Sequence, residues 1–232
     1  MSILRYIVSL LCFLIGANIA TGQSADTLTA TPPGSKSWKP QALRIGLDLS
    51  QITRQIIFDE FTSLYELHAD LGLRSYFVVV DYGHSESNRL GDGFDYSNKG
   101  NYIRMGIDAN LLKNDPNQTV ILFGLRYGIS TFDDQLQFDR TDAFGNHQLV
   151  FETSGGRASW FEIDFGLKVK VWKQLYLGYT GRYKFGIELS GGQGLLPLDI
   201  PGYGQYQIDD SDTFGFNYYI SWRIPFSRSD NL

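Results

Sequence analysis

Near the C-terminus, residues Thr213–Phe226 read TFGFNYYISWRIPF, and this stretch narrows the possible folds more than any other. Phe214, Phe216, Tyr218, Ile220, Trp222, Ile224 and Phe226 occupy alternate positions. Thr213, Gly215, Asn217, Tyr219, Ser221 and Arg223 fall between them. A strand sends successive side chains to opposite faces, so one face is apolar or aromatic and the other is small or polar. The stretch is long for an ordinary strand. It suits a tilted strand crossing a bilayer, which needs about 9–11 residues.

The same rhythm recurs upstream. Strands are expected over Ala42–Ser50, Thr62–Leu71, Arg74–Tyr82, Asn101–Leu112, Gln118–Ile129, Trp160–Val171 and Leu175–Gly186, with Thr213–Phe226 as the eighth. Gln51–Phe61 reads equally as a short helix or a strand extension. Tight turns fall at Gly72, at Lys113–Asn117 (KNDPN, strong turn chemistry) and at Trp172–Gln174. Long connections fall at Gly83–Gly100, Ser130–Ser159 and Ile187–Asp212. Within the second, QLQFD and HQLVFE flank TDAFGN, as in a hairpin standing above the membrane. Short turns alternating with long loops, on an even strand count, are the pattern of transmembrane barrels. The predicted fold is all-β: an eight-stranded antiparallel transmembrane β-barrel with short periplasmic turns, long extracellular loops and both termini periplasmic. Aromatics at 15% and 25 glycines fit it, and the slightly negative mean hydropathy of −0.18 argues against a helical membrane protein.

The first residues read as a targeting segment. Arg5 precedes an apolar run, Tyr6–Ile15, too short to span a bilayer, and small residues follow. Cleavage after Gly22 gives a signal peptide over 1–22, a periplasmic linker over 23–41, the barrel over 42–226 and a C-terminal tail over 227–232. Cys12, the only cysteine, would leave with the signal. The net charge of −5 makes nucleic acid a poor partner.

Two arguments place the polar face inside. An eight-stranded lumen accommodates modest side chains, and the apolar face carries too much Phe, Tyr, Leu and Ile to fit. Glycines also sort to the polar face: Gly46, Gly106, Gly124, Gly128, Gly166, Gly178, Gly186 and Gly215, with Gly181 the exception. A lumen charge network follows, of Arg44, Asp48, Glu66, His68, Asp70, Asp81, Arg104, Asp108, Arg126, Glu162, Asp164, Lys168, Lys170, Arg182, Lys184 and Arg223. Opposite charges there can pair across a narrow space. Outward Tyr76, Tyr82, Tyr127, Tyr179, Tyr183 and Trp222 fit interfacial girdles.

Candidate chemistry is sparse. His68 with Glu66 and Asp70 could act as a base or proton relay, but no nucleophile is fixed beside it, which favours a polar-core histidine. His84, Ser85 and Glu86 have the residue types of outer-membrane lipid hydrolases, yet consecutive residues rarely converge into a triad. Asp199, Asp209, Asp210 and Asp212 could offer oxygen ligands to Ca²⁺, but the calcium-loop spacing is missing, so a solvated acidic loop is the simpler reading. No cofactor or metal site is expected.

Several stretches carry a resemblance: GLDLS (Gly46–Ser50), YELHADLGL (Tyr65–Leu73), YIRMGIDANLL (Tyr102–Leu112), LYLGYTGRYKFGI (Leu175–Ile187) and the closing FGFNYYISWRIPF. Together they look like a Bacteroidota-type family of small outer-membrane β-barrels of unknown function. The aromatic ending also resembles the closing strand that barrel-insertion machinery recognises, although here SRSDNL follows Phe226. The resemblance carries no catalytic motif. It implies an accessory role beside other outer-membrane barrels or surface lipoproteins, in barrel insertion, export or uptake. The leading expectation is therefore a non-catalytic subunit of a larger outer-membrane complex, surrounded by outer-membrane lipid. Phe216, Tyr218 and Trp222 form its candidate partner surface, and its acidic loops face outward. The alternative is a solitary surface ligand-binding protein or adhesin. A lipid-modifying enzyme centred on His68 and a narrow pore come after it.

Overall fold

The computed structural model describes residues 39–50, 62–91, 93–112, 119–142, 145–190, 196–206 and 212–226. The chain divides into two units, Met1–Ser37 and Trp38–Leu232, and the second forms the barrel. Expectations for the signal peptide, for most of the linker, for Gln51–Phe61 and for the tail beyond Phe226 lie outside the described residues.

Eight strands close the barrel: β1 (Ala42–Asp48), β2 (Thr62–Leu73), β3 (Tyr76–Gly91), β4 (Phe94–Asn110), β5 (Val120–Asp142), β6 (Gly145–Trp172), β7 (Leu175–Ser190) and β10 (Thr213–Pro225). Between β7 and β10 lies a small separate hairpin, β8 (Asp199–Ile200) and β9 (Gly204–Gln205). The ring runs β1-β10-β7-β6-β5-β4-β3-β2, every barrel pair antiparallel. It closes through Leu43↔Ile224, Ile45↔Trp222 and Leu47↔Ile220. Closure leaves no barrel edge unpaired, the condition for a sheet to stand in lipid.

The apolar face points outward and the charged face inward. Leu47, Leu67, Met105, Ile107, Leu125, Phe165 and Leu177 are exposed on the outside, while Glu66, Asp81, Arg104, Arg126 and Arg182 are buried within. An exposed apolar wall around a charged interior inverts a soluble protein, and only a hydrocarbon solvent makes that arrangement favourable. The fold is an eight-stranded antiparallel transmembrane β-barrel.

The two ends differ. At the short end, Arg74–Ser75 and Lys173–Gln174 turn the chain between the pairs Leu73↔Tyr76 and Trp172↔Leu175. At the long end the wall is uneven, because β1 has 7 residues whereas β5 has 23 and β6 has 28. Strands of that length overrun the bilayer by about a dozen residues. A bulge between Phe132 and Asp134 marks where the β5–β6 hairpin departs from the cylinder. The hairpin predicted around TDAFGN is thus present and longer than its flanking motifs. The polar loop predicted over Gly83–Gly100 is corrected: β3 and β4 stay paired through it, as far as Gly91↔Phe94. Its small polar residues hide the alternation, and the neighbouring β5 holds β4 in the sheet as far as Phe94↔Phe138.

Candidate functional site

The interior is layered. Nearest the short end, Phe77, Val79, Val120 and Leu122 form an apolar plug carried entirely by strands β3 and β5. These positions belong to the inward face, so the lumen is not wholly ionic. Arg44 lies over the Phe77 ring at 4.4 Å, joining the plug to the charged layer above it.

That middle layer holds six buried cations, Arg44, Arg104, Arg126, Lys168, Arg182 and Lys184, and six buried carboxylates, Glu66, Asp70, Asp81, Asp108, Glu162 and Asp164. Arg126 is its centre: Nη1 lies 2.5 Å from Asp81, Nη2 3.1 Å from Asp108 and Nε 2.6 Å from Asp164. Arg104 bonds Glu66 and lies 3.7 Å from Glu162, while Arg182 approaches Asp81 at 3.3 Å. Arg44 and Lys168 share Asp70, at 2.7 and 2.5 Å. Alternating charge in this way offsets the desolvation that an isolated ion would suffer. Some inward glycines make room for the large side chains: Gly128 pairs with Trp160 and Gly178 with Tyr219, and a Cβ at either would enter the neighbouring ring.

His68 belongs to this layer as a packed member. Its Nδ1 lies 2.6 Å from Asp81, its ring stacks on Tyr219 at 4.7 Å, and Lys168 Nζ lies 3.3 Å from Nε2. Asp70 is also near, 3.2 Å from Nε2. Among the described residues no hydroxyl or thiol nucleophile is hydrogen-bonded to His68, so these contacts build a core and not a relay to solvent.

The top layer closes the mouth. Tyr102, Phe132, Ala158 and Trp160 from the strands pack with Ile200 and Tyr203 from the β8–β9 hairpin. This hairpin is a cap, and five barrel side chains seat it. Lys184 Nζ donates to the carbonyls of Gly202 and Tyr203, both at 2.8 Å. Trp160 meets Tyr203 edge-on at 5.5 Å. The Tyr96 hydroxyl accepts from the Leu198 and Asp199 amides at 3.2 Å. Arg89 pairs with Asp199 at 3.1 Å. Gly202, at φ 78°, lies against the Tyr102 ring so closely that a Cβ would enter it. Burial pushes the Tyr96 phenol up to about 12, which keeps its proton in place. A mouth cavity of about 340 Å³ remains beside the cap, lined by Glu66, Arg104, Lys184 and Asn217 among others.

Several sequence expectations change here. Asp48 is only half-buried and bonds Asn217 and Ser50, with no cationic partner among the described residues. Arg223 is half-buried at the short rim, where Nη1 lies 3.4 Å from the Gln174 side chain, and Lys170 is exposed at the same rim. Alternation gives a side chain's face but not its height, and at the rim the inward face meets water. The sequence predicts a solvated acidic loop over Ile187–Asp212, whereas its described middle is the cap. Asp199 is drawn into the cap, and Asp212 accepts from the Tyr183 hydroxyl at 2.5 Å. Asp209 and Asp210 lie outside the described residues. His84 bonds Asn101 on the outer surface at 2.9 Å, away from any triad. On the wall, Trp222 and Tyr218 are exposed and Phe216 half-buried, with Tyr218 against Tyr179 at 5.1 Å. Sequence reasoning missed Tyr96, Trp160 and Tyr203. Only the Gly-Tyr-Gly run at 202–204 hinted at a tight, aromatic-tipped turn.

A family model described as Domain of unknown function (DUF6048) matches residues 3–229. Among solved structures, the chain is similar to CarO of Acinetobacter baumannii: 11% identity, 82% of this chain and 100% of that one, TM-score 0.41. It is similar to the attachment invasion locus protein of Yersinia pestis at 8% identity, 81% and 100% coverage, and TM-score 0.39. Neisserial surface protein A follows with 11% identity, 80% and 95% coverage, and TM-score 0.32. All three are small outer-membrane barrels, too distant to carry a function across. No curated protein matches the sequence.

Proposed function

We propose that this chain, which belongs to the DUF6048 family, is a non-catalytic outer-membrane β-barrel working as an accessory subunit of a larger outer-membrane assembly. The observation that carries this is the state of the interior. The described lumen is filled in three layers, charges balanced in the middle and aromatic residues packed beneath a cap. Apart from the mouth cavity of about 340 Å³ beside the cap, the filled lumen leaves little room for a reaction chamber or a water path, in contrast to wide porins. The working surfaces are then the wall around Phe216, Tyr218 and Trp222 and the raised β3–β6 palisade. The palisade faces the cell exterior if the short turns face the periplasm. Its exposed Glu86, Asp95, Asp133, Asp139 and Glu152 make a polar surface suited to a soluble or lipid-anchored partner, while the wall suits a second barrel.

The test is crosslinking in cells followed by purification in mild detergent, with the full chain and with the β5–β6 hairpin shortened by replacing Asp134–Glu152 with a two-residue turn. A stoichiometric partner held by the full chain and lost by the shortened one, both still heat-modifiable on gels, is the expected result. Purification of the full chain alone overturns the reading and leaves the solitary adhesin in its place.

A further inference from the structure

We infer that the short-turn rim is a docking surface for the headgroups of anionic phospholipids. The inference rests on the transmembrane fold and is independent of the subunit proposal. Around this rim Lys39, Arg74, Lys170 and Lys173 are exposed, and Arg223 is half-buried. Among the described residues, the carboxylates nearest this end are Asp70 and Asp108, and both are 1% exposed and turned inward to Arg44, Lys168 and Arg126. The rim therefore presents cations to its surroundings with no described carboxylate to neutralise them. The other end of the barrel mixes both signs.

Two observations fix the depth of these cations. Trp172 is 59% exposed beside Lys173, whose Nζ stands 4.9 Å over the indole, and Trp222, Tyr76 and Ile224 are exposed on the wall just inside. Outward aromatics at a barrel's end settle at the lipid interface, so the neighbouring cations stand at the level of the phosphates. The turns add an independent sign. Arg74 and Lys173 occupy left-handed positions, with φ of 61° and 41°. Glycine or asparagine adopts that conformation with less strain. Here each short tip places a long cation in it instead, one between β2 and β3 and the other between β6 and β7. Long basic side chains on an apolar stem can lie along the wall and reach the headgroup region.

The experiment uses the full chain in phosphatidylcholine vesicles carrying trace spin-labelled phosphatidylglycerol or spin-labelled phosphatidylcholine. The motionally restricted fraction of each label gives their relative association with the barrel. The wild type is expected to prefer phosphatidylglycerol, and the preference should fall as salt is raised. A triple variant, Arg74→Asn, Lys170→Gln and Lys173→Asn, should lose it by about fivefold or more, since each basic residue near a membrane surface contributes to anionic-lipid attraction. Asparagine keeps the left-handed turns open to folding, and heat-dependent gel mobility confirms the barrel. Lys99→Gln, on the long palisade, should leave the preference intact. A wild type that does not discriminate between the labels, or whose preference does not respond to salt, overturns the inference without any variant. A folded triple variant that keeps the preference overturns it as well.

Discussion

The barrel is stoppered at both ends, by unrelated means. At the short end, Phe77, Val79, Val120 and Leu122 project from strands that also make the wall, so the plug cannot leave without the sheet. At the long end, Ile200 and Tyr203 come from a separate hairpin held by a few side-chain contacts and its own β8–β9 pairing. The strand-built interior should unfold with the barrel as one cooperative unit. The cap should open locally, at a cost set by its own contacts.

Arg126→Leu should have the largest effect. It removes the cation shared by Asp81, Asp108 and Asp164 and leaves three carboxylates facing one another in a buried space. Breaking a buried ionic group in this way costs roughly 3–5 kcal/mol. Urea unfolding in detergent micelles should show one transition at a lower midpoint. An unchanged midpoint would place Arg126 outside the core. Phe77→Ala comes next. The ring is 2% exposed and supports Arg44, so its removal leaves a cavity at the foot of the charged layer. A loss of about 3 kcal/mol, again in a single transition, is expected from core truncations of this kind. A separate early transition would show that the short-end plug is loop-like after all.

Gly202→Val targets the cap alone. It forces a β-branched residue to a φ near 78° and drives its Cβ into the Tyr102 ring. The barrel's own unfolding should shift by roughly 1 kcal/mol or less. Ile200, 1% exposed in the wild type, should become accessible. In a Cys12→Ser background, Ile200→Cys should react with a maleimide far faster when Gly202→Val is present. Planar-bilayer conductance should stay closed, because the charged layer and lower plug remain beneath the mouth. A steady open conductance in this variant would mean that the cap alone seals the lumen.

The same contrast explains what the sequence made legible. Period-two alternation survives in every spanning strand because lipid on one side and packed charge on the other select each residue. Strand number, face and most of the ionic layer, from Arg44 to Arg182, follow from it. Rim positions do not, since Lys170 and Arg223 share the inward parity of Lys168 without its depth. The cap is illegible for a different reason. LDIPGYG has no periodicity, and its burial depends on Tyr96, Trp160 and Lys184, which only closure of the barrel brings to one place. Ser85–Asn88 and Ser97–Gly100 likewise lack alternation and become strand through their neighbours.

The smallest effect expected is a pH dependence confined to the cap. Asp199, on β8, is 18% exposed and pairs with Arg89 at 3.1 Å. Burial raises its carboxyl above the ordinary 3.8, and Arg89 offsets the rise only in part. A carboxyl whose pKa rises on docking favours the docked state while it is protonated. The contribution is complete below 3.8 and is lost as pH climbs through the raised value. Acidification should therefore tighten the cap, while burial of the ionised group loosens it near neutrality. Hydrogen exchange reads this directly at two cap amides, Tyr203 donating to the Ile200 carbonyl at 3.0 Å and Tyr206 donating to the Leu198 carbonyl at 3.1 Å. Corrected for intrinsic rates, their protection should rise across the window from neutrality down toward 3.8, the direction set by the raised carboxyl. Asp199→Asn keeps an oxygen for Arg89 and removes the titration. Its protection should stay flat across the window, near the wild type's acid level. If the asparagine variant follows the wild-type profile, some other group governs the cap. If the wild-type protection is itself flat across the window, the Arg89 pair already compensates fully for the burial of the charge.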